Sequence, residues 1–124
     1  MRPTFHRVRG FALVSLCLAL LTAACASSAQ ADDQPVQTTS VDMPPSYLYA
    51  PAAIAVQAGD TVTWTNQDHF SHNVHLLGAI EWRSEVLPPG ESVTYTFAEP
   101  GEYAYQCDLH PQDMQGTVTV IAPE

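Results

Sequence analysis

Beyond residue 40 the chain alternates between apolar and polar positions with a period of two. Ile54 and Val56 share one face, as do Val62 and Trp64. Val93, Tyr95 and Phe97 follow, then Tyr103, Tyr105 and Cys107, then Val118 and Val120, with Thr, Ser, Glu and Gln at most intervening positions. Alternation of this kind marks strands with one face buried and the other wet. Ala58-Gly59-Asp60, Pro88-Pro89-Gly90 and Pro100-Gly101 fall between the runs, where turns use the backbone geometry of Gly or Pro. No stretch carries apolar residues at helical spacing over three turns. Short strands separated by regular turns predict an all-β domain, an antiparallel sandwich or barrel. Read as a strand, residues 69–77 put Phe70, His72, Val74 and Leu76 on one face and His69, Ser71, Asn73 and His75 on the other. His72 is then the histidine that points among apolar residues.

The first thirty residues stand apart from this pattern. Arg2, Arg7 and Arg9 make a basic start, Phe11 to Ala24 is almost wholly apolar, and small residues follow. The apolar run is short for a membrane span and has the layout of a secretory signal. Ala29-Gln30-Ala31 offers a small-x-small cleavage site, giving a signal peptide over residues 1–31. A second route is a lipoprotein signal ending before Cys25, because Leu21-Thr22-Ala23-Ala24-Cys25 resembles a lipobox with Thr22 in the usual leucine position. Both routes predict a periplasmic or otherwise extracytoplasmic protein, soluble in the first case and lipid-anchored at Cys25 in the second. Residues 32–40 are polar, acidic and aperiodic, and read as a tether ahead of a single domain at 41–124.

Removal of the signal changes the charge. Of four basic residues only Arg83 remains, and one cation against thirteen acidic residues leaves a formal charge of −12, where the whole chain carries −9. Nucleic acid and anionic membrane surfaces are poor partners for such a chain. The excess fits a cationic redox partner drawn in by long-range attraction, or simply a surface kept soluble. The acids are scattered, so sequence draws no patch. No transmembrane segment is expected in the mature chain, and a monomer is expected.

Cysteine usage carries the chemistry. Cys17 and Cys25 fall in the signal, so Cys107 is the only cysteine of the folded part. A lone thiol in an oxidising compartment is inert and buried, intermolecular, or bound to something. Cys107 ends a predicted strand on its inward face, and His110 and Met114 follow in a tight loop. With His72 from another strand, the donors become two imidazoles, one thiolate and one weak thioether. Copper suits this set best, since the sulfur donors favour Cu(I) and imidazole tolerates both oxidation states. Taken singly, each residue reads as core or loop; the order His, then Cys-x-x-His-x-x-x-Met at strand ends reverses that balance. Four protein donors leave no open position for a substrate, and no Ser-His-Asp set, carboxylate pair or phosphate-cradling loop argues for an enzyme. His69 and His75 read as solvated strand residues. Trp64 and Phe97 read as core. Leu109, Pro111 and the pair Pro44 and Pro45 are candidates for an apolar rim around His110.

The chain resembles the cupredoxins, the plastocyanin/azurin group of small blue (type 1) copper proteins, from about Tyr49 to Val120. The resemblance rests on Ala58-Gly59-Asp60-Thr61-Val62-Thr63-Trp64-Thr65-Asn66, on Asp68 through His72-Asn73-Val74, on Pro100-Gly101-Glu102-Tyr103-Ala104-Tyr105-Gln106-Cys107, and on His110-Pro111 through Met114-Gln115-Gly116. It implies a Greek-key β-sandwich with one mononuclear copper site near one end. The implied ligands are His72, Cys107, His110 and an axial Met114, with His110 near the surface as the electron's exit. It implies an electron carrier cycling Cu(I)/Cu(II); the alternative is a periplasmic protein that stores or delivers copper without redox shuttling. Three residues separate His110 from Met114, where plastocyanins have four and amicyanins two. The axial distance and the potential therefore transfer from neither.

Overall fold

The computed structural model describes residues 34–124, so the expected signal sequence and both of its processing sites lie outside the described residues. Eight strands follow in order: β1 (Val36–Gln37), β2 (Ser40–Met43), β3 (Ala53–Gln57), β4 (Thr61–Asn66), β5 (His75–Leu76), β6 (Ser92–Thr96), β7 (Gly101–Gln106) and β8 (Gln115–Ile121). No helix occurs among the described residues, and none there is long and apolar enough to cross a membrane. The strands form a five-stranded sheet ordered β1-β3-β8-β7-β5 and a three-stranded sheet ordered β2-β4-β6.

The expected sandwich is present, but its pairing is mixed where antiparallel pairing was expected. β1 with β3, β3 with β8 and β2 with β4 run parallel; β4 with β6, β5 with β7 and β7 with β8 run antiparallel. The cause is that the chain changes sheet at every connection from β1 to β7, so only β7 and β8 are both consecutive and paired. Turns that would close hairpins instead carry the chain across the core. At one of them Gly59 takes φ +97, a left-handed conformation costly to a residue with a Cβ. Asp60 closes that turn, its N–H donating to the Gln57 carbonyl at 3.0 Å and its carboxylate accepting the Gln57 N–H at 2.8 Å.

Alternation places the core. Ile54, Val56, Val62, Trp64, Tyr105, Val118 and Val120 are buried between the sheets, with Phe97 just past the end of β6. Trp64 lies at the centre, edge-on to Tyr105 at 5.4 Å between ring centroids and 6.4 Å from Phe97. Trp64 and Phe97 are core, as expected.

Two expectations fail. The described part of the 32–40 tether is not free chain: Val36 and Gln37 pair with Ile54 and Ala55, and β2 begins at Ser40. Both β1 residues are exposed on either face, so no alternation marked them. The strand read over residues 69–77 is strand only at His75–Leu76, and His72 makes an isolated bridge to Leu87. Its parity holds for His72, Val74 and Leu76, all buried, but fails at two positions. Phe70 is 56% exposed and Asn73 only 3%. Buried Asn66 is the reason. Its amide donates to the carbonyls of Phe70 and Leu87 at 2.8 and 2.9 Å, and its Oδ1 accepts the Asp68 N–H at 2.9 Å. These bonds coil the chain after β4 and turn Phe70 outward.

Candidate metal centre

The coil fixed by Asn66 delivers His72 to the end of the sandwich where β7 stops at Gln106. Cys107 is the next residue, fully buried and in no disulfide. Full burial removes the intermolecular reading of the lone thiol. The loop after it closes tightly. Met114 O accepts the Cys107 N–H at 3.0 Å, and the His110 carbonyl accepts the N–H groups of Asp113 and Met114 at 3.2 and 3.0 Å. The His110 N–H in turn donates to the Cys107 carbonyl at 3.2 Å.

Sequence reasoning singled out His72, Cys107, His110 and Met114. The fold brings the first three side chains together. The Nδ1 atoms of His72 and His110 each lie 3.9 Å from Cys107 Sγ, and the three donor atoms fall within 4.8 Å of one another. Among the described residues no other group of three His, Cys, Asp or Glu side chains converges this way. Met114 is fully buried and tied to Cys107 and His110 through the backbone bonds of the same loop. His72 is wholly buried, whereas His110 is only half-buried.

Several contributors escaped the sequence reading. Asp68, buried, accepts a hydrogen bond from His72 Nε2 at 2.9 Å. Burial pushes its carboxyl up, but the His72 bond and the His69 backbone N–H outweigh that and hold it below the ordinary carboxylate range. Asn73 donates its backbone N–H to Cys107 Sγ at 3.5 Å. The Asn73 side chain clamps the next residue in both directions: Oδ1 accepts the Asp108 N–H at 2.8 Å and Nδ2 donates to Asp108 Oδ2 at 3.0 Å. Tyr49 fixes this segment from below, its hydroxyl donating to the Asn73 carbonyl at 2.6 Å.

His75 is not solvated as expected. Its Nδ1 donates to Asp108 Oδ1 at 2.8 Å, and Arg83 Nε pairs with Asp108 Oδ2 at 2.9 Å. Burial pushes the Asp108 carboxyl up, but hydrogen bonds from Asn73 and His75 hold it low. The residue following the thiol is therefore pinned, and Arg83, the sole arginine among the described residues, pairs with it. His69 is exposed, as expected.

The surface beside His110 is aromatic and apolar. Leu109 is 49% exposed, and Pro111 and Pro45 are exposed while Pro44 is half-buried. Tyr47 and Phe70 were missed. The Tyr47 ring lies 4.4 Å from that of His110 and stacks on Phe70 at 5.6 Å. Ser46 and Tyr47 both take positive φ, 104 and 56, a rare state for residues with a Cβ and one invisible in a hydrophobicity pattern.

The donors fit copper by their chemistry: a buried unpaired thiol faced by two imidazole nitrogens, with a buried thioether in the same loop. Comparison with known proteins agrees. The family model for the cupredoxin-like domain matches residues 13–120. The amicyanin of Paracoccus denitrificans is 37% identical over 76 residues, covering 58% of this chain and 57% of that protein. The chloroplastic plastocyanin of Tetradesmus obliquus is 36% identical over 73 residues, covering 51% and 50%. The chain thus spans about half the length of these two relatives. A purple cupredoxin from Nitrosopumilus maritimus superposes with a TM-score of 0.61 at 30% identity, covering 66% of this chain and 98% of that one.

Proposed function

The chain belongs to the cupredoxin family, and from that premise we propose that it is an extracytoplasmic electron carrier whose copper is held by His72, Cys107, His110 and, more weakly, Met114. The observation that carries this reading is the convergence of two imidazole Nδ1 atoms on one buried, unpaired thiol. Bound copper supplies a one-electron couple between Cu(II) and Cu(I).

The chain's own residues do the rest. Cys107 presents its sulfur where water is excluded, with the Asn73 N–H to stabilise negative charge on it. His72 is immobilised from behind by Asp68. The backbone bonds from Cys107 to Met114 keep His110 and the thioether in place. A site braced this way reorganises little when its charge changes by one, which favours fast electron exchange. Four protein donors leave no position for a substrate, so we read the protein as a carrier and not an enzyme.

The alternative, copper storage or delivery, predicts release in one oxidation state. Repeated reduction and reoxidation of the purified protein against a chelator separates the two. A carrier keeps its copper through the cycles, whereas loss of copper on each reduction would favour delivery.

His110 is the least buried of the three donors, and exchange with a partner protein runs through the apolar surface around it. Leu109→Glu should slow exchange with a redox partner by roughly tenfold, because a carboxylate must be desolvated at the contact. The visible spectrum should not change. An exchange rate equal to the parent's would remove this surface from the account.

A further inference from the structure

The Asp68 carboxylate has a place that demands a role. Its side chain is 3% exposed, and a carboxylate buried without compensation is strongly destabilising. Both oxygens meet donors: Oδ1 accepts the His69 N–H at 2.6 Å and Oδ2 the His72 Nε2–H at 2.9 Å. A proton on either oxygen would oppose one of them, so the geometry fits the anion. Asp68 is itself held through its N–H by Asn66 Oδ1, and the Asn66 amide is anchored to the carbonyls of Phe70 within the turn and Leu87 on a neighbouring segment. The carboxylate is therefore not adapting to His72; the turn presents it.

Two consequences follow for the imidazole. With its proton on Nε2, His72 carries its lone pair on Nδ1, the nitrogen that faces Cys107 Sγ. A fixed negative charge behind the ring also makes that lone pair a better donor, and a better donor favours the more highly charged metal. His110 differs: its ring meets Tyr47 and His72, and among the described residues it makes no side-chain bond to a carboxylate.

We propose that Asp68 is a positioning residue that fixes the tautomer and orientation of His72 and biases the site toward Cu(II), setting a lower reduction potential than the ligands alone would give. The inference rests on the copper-carrier reading above. Groups hydrogen-bonded behind a ligand typically change metal affinity by about 10- to 100-fold when removed. A bias between oxidation states at the lower end of that range shifts the Cu(II)/Cu(I) equilibrium about tenfold, or ~59 mV for a one-electron couple.

The test compares the full chain with Asp68→Asn, which keeps the shape, removes the charge and turns one of the two acceptor contacts into donor against donor. Asp68→Asn should keep the copper–thiolate absorption while its couple shifts about tenfold toward Cu(I). In the metal-free parent, nitrogen-15 NMR of the imidazoles should find His72 protonated at Nε2. A blue parent whose potential is unchanged by Asp68→Asn overturns the role of Asp68 and leaves the carrier reading intact. A metal-free parent with His72 protonated at Nδ1 does the same, whether or not the variant folds. A parent with no absorption that depends on Cys107 overturns both readings together.

Discussion

A chain carrying Gly116→Ala is expected to melt about 15 °C below the parent, because among the described glycines it is the one where a Cβ would overlap its neighbours. Gly116 faces Tyr105 across the β7–β8 pair, and the Tyr105 ring occupies the space a side chain at 116 would need. A Cβ there would overlap the ring's Cζ and hydroxyl and come within 2.8 Å of the Ala52 carbonyl oxygen. Neither obstacle can retreat. Tyr105 is buried and edge-packed between Trp64 at 5.4 Å and Tyr49 at 4.7 Å. The Ala52 carbonyl is already engaged by the Thr117 N–H at 2.8 Å. Overpacking against rigid neighbours costs about 1–3 kcal/mol and at times more. In a domain of this size each kcal/mol lowers Tm by roughly 4–8 °C. Thermal unfolding followed by circular dichroism checks this; a Tm within about 3 °C of the parent would mean that Tyr105 moves freely.

Cys107→Ser should have the largest effect on the site and a small one on the fold. The hydroxyl is close in size to the thiol and can accept the Asn73 N–H that now reaches sulfur. The expected folding cost is about 1 kcal/mol. As a copper donor the two are not alike, because a serine hydroxyl stays protonated near neutral pH and is a hard, weak ligand. Removing groups behind a ligand already costs about 10- to 100-fold in affinity, and loss of the strongest donor should exceed the upper figure. Competition with a chelator measures this directly, and metal-free melting curves of the two proteins separate it from any loss of structure.

Much of this architecture was legible before the fold was known, for a physical reason. Each long strand buries one face, so Ile54 and Val56 or Val118 and Val120 announce themselves by alternation. Alternation reports which face a residue is on but not which strand lies beside it. That is why sheet-changing connections, and with them the parallel pairs, stayed hidden. β1 was invisible because neither Val36 nor Gln37 is buried.

The three side chains that converge, His72, Cys107 and His110, were readable from their order and from the position of Cys107 at a strand end. Their supports were not. Asp68 meets His72 only because Asn66 coils the intervening turn. His75 of β5 meets Asp108, two residues past the end of β7, a contact far apart in sequence. Tyr47 reaches His110 through a left-handed backbone that no composition rule marks. Sequence gave away the residues with distinctive chemistry, while the side chains that orient them are ordinary in type and became meaningful only in place.

The measurement that bears most directly on the central claim is the visible spectrum of the purified protein with Cu(II), recorded beside Cys107→Ser. The account predicts an intense absorption in the parent, from charge transfer between the Cys107 thiolate and copper, and its absence in the variant. A parent without that absorption, or with a weak one that survives loss of the thiol, would contradict a copper–thiolate centre and the electron-carrier function built on it.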